Sequence, residues 1–183
     1  MTGAPRILVA GIGNIFLGDD AFGVEVARHL LARPRPRNVR VVDFGIRGLD
    51  LAYALTDGCD AAILVDAVPR GERPGTLYVI EPQLDPAAPT PVGFDGHSMN
   101  PVAVLALAGT LGTLPRRVLV VGCEPSPQAP DENTDFDLSE PVRTALRPAL
   151  EMVESLIDRL IDELTTPAVQ SAVPATGAKE ILS

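Results

Sequence analysis

Cysteine and histidine are both scarce, two of each in 183 residues. Cys59 and Cys123 stand far apart and form no CxxC pair, which argues against a disulfide framework and a zinc knuckle. With only His29 and His97 present, the choice of imidazole ligands is equally narrow. Basic residues are outnumbered as well: 15 Lys and Arg against 24 Asp and Glu leave a net charge of −9. Such a chain is poorly suited to nucleic acid, whose phosphates are gripped by clustered Lys and Arg, or to an anionic membrane surface. No apolar run approaches the ~18 residues of a transmembrane span. No Gly-x-Ser-x-Gly elbow is present, which weakens a serine-hydrolase reading. Met1 to Arg6 leads straight into an apolar strand with no room for a signal peptide, so the expected location is the cytoplasm.

What is present is the pattern of an α/β domain. The apolar fraction of 46% over 183 residues suffices for one self-contained core. Arg6 to Ala10, Val39 to Phe44, Ala61 to Val65, Thr76 to Ile80 and Arg117 to Gly122 read as strands, and the third, apolar on both faces, reads as central. Between them, Ala21 to Leu31 carries Phe22, Val26 and Leu30 at helical spacing, with Asp19 or Asp20 placed to cap it. A second helix is expected near Leu49 to Leu55. Asn100-Pro101 reads as the start of a third, with Asn as cap and Pro at the first position. Ser139 is placed to cap a terminal helix ending near Leu164, with a bend or restart at Pro148. Strands alternating with helices predict a three-layer α/β/α sandwich, one domain over residues 1–164, followed by a mobile tail over 165–183.

The chemistry gathers at strand ends. Asp66 closes a buried apolar run, where a carboxylate must find hydrogen bonds or a cation. Asp20 closes the glycine-rich turn after the first strand. His97 stands in a glycine-flanked loop ahead of the third helix, after the proline-rich stretch Glu81 to Gly96. In a parallel sheet such loops line the crevice beyond the carboxyl ends of the strands. Two carboxylates and an imidazole converging there would make an open site for a borderline ion such as nickel or zinc. Gly11-x-Gly13 begins like a dinucleotide fingerprint, with Asp43 available for a ribose, but Phe16 occupies the place of the third glycine. His29 reads as a surface histidine and Cys123 as a small buried residue.

The segment Ile7 to Asp20 (ILVAGIGNIFLGDD) resembles the amino-terminal signature of the nickel-iron hydrogenase maturation endopeptidases. The likeness continues in order through Val42-Asp43-Phe44-Gly45 with Gly48-Leu49, Leu64-Val65-Asp66-Ala67, Pro74-Gly75-Thr76, Gly96-His97-Ser98, Val121-Gly122-Cys123-Glu124-Pro125 and Leu138-Ser139. It spans residues 6–164. The resemblance implies a mainly parallel, twisted sheet of about five strands between helices. It implies a cytosolic peptidase, monomeric when free, that trims the C-terminal extension of a hydrogenase large-subunit precursor once nickel is inserted. It assigns nickel recognition to Asp20, Asp66 and His97, and a role in cleavage to Asp43. The ion is expected to arrive with the substrate. Two other readings stand beside it: a nickel-dependent checkpoint or chaperone that binds without cutting, and a peptidyl-tRNA hydrolase, which the net negative charge opposes.

Overall fold

A computed structural model describes residues 3–82, 100–127 and 137–166. His97 and most of the proline-rich stretch lie outside the described residues, as does the tail beyond residue 166. The elements run β1 (Ile7–Ile12), a 3-10 turn (Gly18–Ala21), α1 (Phe22–Leu31), β2 (Val39–Gly45), α2 (Gly48–Thr56), β3 (Ala61–Ala67), β4 (Leu77–Ile80), α3 (Pro101–Leu111), β5 (Arg117–Cys123) and α4 (Glu140–Thr165). The sheet has five strands in the order β2-β1-β3-β5-β4, parallel except for β4, which pairs antiparallel with β5 at the edge. This is the α/β/α sandwich that the alternation of elements predicts.

Alternation along each strand divides the core in two. Val9, Val41, Ile63, Val65 and Val121 point to α1 and α4, whereas Leu8, Phe44, Leu64 and Val120 point to α2 and α3. β1, β3 and β5 bury both faces and so carry almost uninterrupted apolar residues. From β1 the chain moves to β2 on one side, then crosses back to β3 on the other. The switch point of the topology therefore lies between β1 and β3, where ligands of open α/β sheets bind. α1 lies unusually close to this point. A Cβ on Gly23 would sit 2.0 Å from the Val65 carbonyl oxygen and 2.4 Å from that of Ile12.

Several helix ends differ from expectation. Asn100 does cap α3, its side chain accepting from the Val102 N–H, with Pro101 at the first position. Neither Asp19 nor Asp20 caps α1. The 3-10 turn intervenes, Ala21 takes the cap position, and both carboxylates serve other donors. Ser139 holds the cap position of α4, but its hydroxyl turns to Asp19 instead of the helix. α4 runs unbroken through Pro148 and includes Thr165, which the sequence reading assigned to the tail. Among the described residues no helix is long and apolar enough to cross a membrane.

Candidate functional site

Asp20 and Asp66 meet at the switch point. The turn bearing Asp20 leaves β1 and packs against β3, at whose carboxyl end Asp66 stands. Gly13 makes the approach possible. Its φ is +134°, and a Cβ there would fall 1.8 Å from the Asp20 carbonyl oxygen, so only glycine lets the turn fold back this tightly. Asp20 is half-buried and accepts a 2.7 Å hydrogen bond from the Asn14 N–H through Oδ2, which fixes its carboxylate across the turn.

Asp66 is 5% exposed. It has the same strand parity as Ala62 and Leu64, so it faces the α2 and α3 side. Burial pushes its carboxyl well above the ordinary carboxylate range, and the charge of Asp20 pushes it further. A hydrogen bond from the Ala67 backbone pulls weakly in the other direction. A carboxylate kept short of solvation beside a second negative charge is a place where a cation would be welcomed, since opposite charge favours the ionised form.

Asp43 does not join this pair. It shares the parity of Val39 and Val41 and therefore lies on the α1 face, opposite to Asp66 and two strands away, about 10 Å by strand spacing. Its carboxylate is held by Arg28 of α1, Oδ2 to Nε 3.4 Å, and the same guanidinium bonds Glu25 at 2.9 Å. Arg47 also donates to the Asp43 backbone carbonyl. His97, the remaining expected ligand, is outside the described residues, and among those residues no group of three His, Cys, Asp or Glu side chains could hold a metal ion. His29 lies on the exposed side of α1, its Nδ1 2.8 Å from the Glu25 carbonyl oxygen, as a surface histidine should.

Two buried acids that the sequence reading underrated frame the crevice. Asp19, 6% exposed, accepts from the Ser139 N–H at 2.7 Å, the Ser126 N–H at 2.8 Å and the Ser139 hydroxyl at 2.8 Å. It thereby ties the turn that carries Asp20 to the loop after β5 and to the start of α4. Glu124, 5% exposed, accepts from the Tyr78 hydroxyl at 2.6 Å and from the N–H groups of Arg70 and Gly71 at 2.7 and 3.1 Å. These bonds, the Tyr78 hydroxyl foremost, hold its carboxyl below the usual range and fasten the loop that follows Asp66. Cys123 points into the α1 and α4 core, where burial and the nearby Asp19 raise its thiol to about 12, too high for a nucleophile near neutral pH.

The Asp19 clasp has a measurable weight. Hydrogen bonds to a charged group contribute about 1.5–3 kcal/mol each, though not additively. Asp19→Ala should therefore lower unfolding free energy by about 3 kcal/mol in urea titration, and Asp19→Asn, which keeps one acceptor oxygen, by distinctly less. An Asp19→Ala protein as stable as the parent would show that Ser126 and Ser139 find other acceptors at no cost.

Comparison with known proteins adds a separate line. The family model described as hydrogenase maturation protease matches residues 24–156. The hydrogenase expression/formation protein HupM of Azotobacter chroococcum is 40% identical over 157 residues, covering 82% of this chain and 71% of its own. The hydrogenase 2 maturation protease of Escherichia coli K12 is 32% identical over 150 residues, covering 81% of this chain and 88% of its own. Among solved structures, the hydrogenase maturating endopeptidase HybD from E. coli superposes with a TM-score of 0.70 at 29% identity, over 85% of this chain and 93% of that one.

Proposed function

Since this chain belongs to the hydrogenase maturation protease family, we propose that it is an endopeptidase that removes the C-terminal extension of a nickel-iron hydrogenase large-subunit precursor after nickel has been inserted. The observation that carries the reading is the pairing of a buried, charge-disfavoured Asp66 with Asp20 at the switch point. In this reading the nickel belongs to the substrate. Asp20, Asp66 and His97 complete its coordination when the precursor docks.

The residues' own chemistry then follows. The free site holds its negative charge at a cost, and a divalent cation arriving with the substrate repays it by favouring the ionised form of Asp66. Precursor lacking the ion leaves that cost in place, so docking discriminates between loaded and empty substrate. For cleavage, a carboxylate of the pair takes a proton from the attacking water. The water oxygen bonds to the scissile carbonyl carbon, the C–N bond breaks, and the amine leaves with the proton. Asp43, held by Arg28 on the other face of the sheet, stands apart from this pair and is given no part in this step.

Mass spectrometry of nickel-loaded precursor, incubated with and without the protein, tests the proposal. Loss of a C-terminal peptide only when both nickel and protein are present is the expected result. A stable complex with precursor of unchanged mass would instead make the protein a checkpoint that binds without cutting. His97→Ala should stop cleavage while leaving the melting temperature unchanged; undiminished cleavage by the folded variant would remove His97 from the site.

A further inference from the structure

The loop after β1 and the loop after β2 leave the sheet at the same end and run side by side, the Gly13 N–H donating to the Gly45 carbonyl at 3.1 Å. Both expose large apolar side chains: Ile15 (37%), Phe16 (65%) and Leu17 (45%) on one, Ile46 (49%) and Leu49 (52%) on and just beyond the other. These five are half of the large exposed hydrophobic side chains among the described residues; the other half are spread over α1, α2, β4 and α3. A concentrated apolar patch, unlike scattered apolar residues, marks a contact surface.

This patch is continuous with the Asp20 turn. The Asn14 side chain accepts from the Phe16 N–H at 3.0 Å, while the Asn14 N–H donates to the Asp20 carboxylate at 2.7 Å. The Leu17 carbonyl accepts from the Asp20 N–H at 3.1 Å. The Phe16 backbone is thus held in fixed relation to Asp20 by a short chain of hydrogen bonds, and its side chain is exposed beside that turn.

We propose that Phe16, with Ile15, Leu17, Ile46 and Leu49, determines specificity by seating apolar side chains of the protein substrate within about four residues of the cut bond, the reach of a short extended segment. The inference rests on the endopeptidase reading and names what that site selects besides the ion. Burial of an aromatic side chain contributes enough to change affinity by about tenfold or more.

The test uses the full chain with nickel-loaded precursor. Phe16→Ser and, separately, Ile46→Ser should each raise KM about tenfold with kcat within twofold of the parent, and with unchanged melting temperature, because both side chains are exposed. Changing the apolar precursor residues beside the cut to serine should raise KM for the parent but add little for Phe16→Ser. Unchanged KM in both variants overturns the proposal, as does a fall in kcat at constant KM. A parent that sediments as a dimer and dissociates on Phe16→Ser also overturns it, since the patch then covers a second copy. Should the parent bind precursor without cutting, the endopeptidase reading fails on its own. Titration of precursor against parent and variants then decides the patch: about tenfold weaker binding supports it and equal binding overturns it. A parent that neither cuts nor binds overturns both.

Discussion

Replacing Asp66 by asparagine is expected to lower precursor processing by roughly 10²-fold or more, the scale of losing a general base, while the free protein melts no lower than the parent. The two halves of this result have one cause. In the free protein the Asp66 carboxyl is buried and faces the Asp20 charge, so its ionised form is disfavoured. Asparagine keeps the shape and removes the charge, relieving that cost. The same change removes an anionic ligand and a proton acceptor, on which the proposed reaction depends. The sign of the pH dependence follows from the folded group titrating above the unfolded one. Between the two values the folded state keeps a proton that the unfolded state has released, so the parent loses stability as pH rises through that window. The advantage of Asp66→Asn should therefore be full above the folded value and vanish at acid pH, where both states are protonated. Thermal melts across pH, beside a cleavage assay, check both halves. A variant that melts well below the parent at neutral pH would show that Asp66 holds the fold together.

Gly23→Ala should cost more than about 4 kcal/mol, among the largest effects of a single methyl group. The new Cβ would face the Val65 and Ile12 carbonyl oxygens at 2.0 and 2.4 Å. Both belong to hydrogen-bonded strands at the centre of the sheet, so neither can yield, and α1 must lift instead. Lifting would open the packing of Phe22, Val26 and Ala27 and part the switch point at which Asp20 and Asp66 meet. Against a domain stability of about 5–15 kcal/mol this leaves little margin. Gly109→Ala provides the contrast. Within α3 its Cβ would meet, among the described residues, only the Leu114 Cδ1 at 3.8 Å, and removing a helical glycine should gain about 0.5–1 kcal/mol. Urea midpoints of the two variants should move in opposite directions. Movement in the same direction would mean that the close approach of α1 is not a tight constraint.

Features whose causes are local were legible in the sequence. Asn100 and Pro101 announce α3 because the cap and its donor are two residues apart. The apolar runs announce β1, β3 and β5, and Asp66 stood out as the acid at the end of such a run. The place of Asp43 was also within reach: counting alternate residues from Val39 and Val41 puts it on the α1 face, away from Asp66. Features that depend on distant partners stayed hidden. Asp19 has the type and position of a helix cap, and only its donors 107 and 120 residues away make it a clasp. Glu124 likewise draws its donors from the loop some 50 residues earlier. Propensity could not reveal that β4 runs antiparallel, because direction is decided by the pairing with β5.

The Asp19 clasp also bears on when, during synthesis, the end of the molecule that carries Asp20 and Asp66 becomes firm. Domains form from the amino terminus as the chain emerges, and by the time β5 is complete every strand is available. The turn carrying Asp20 nevertheless waits for Ser139, 120 positions after Asp19. Until that serine arrives, a carboxylate destined for the interior lacks two of its three donors and does better in water. A ribosome-bound chain cut short before Ser139 would therefore hold Asp19 by the Ser126 N–H alone, and the turn would be clasped only as the last helix begins.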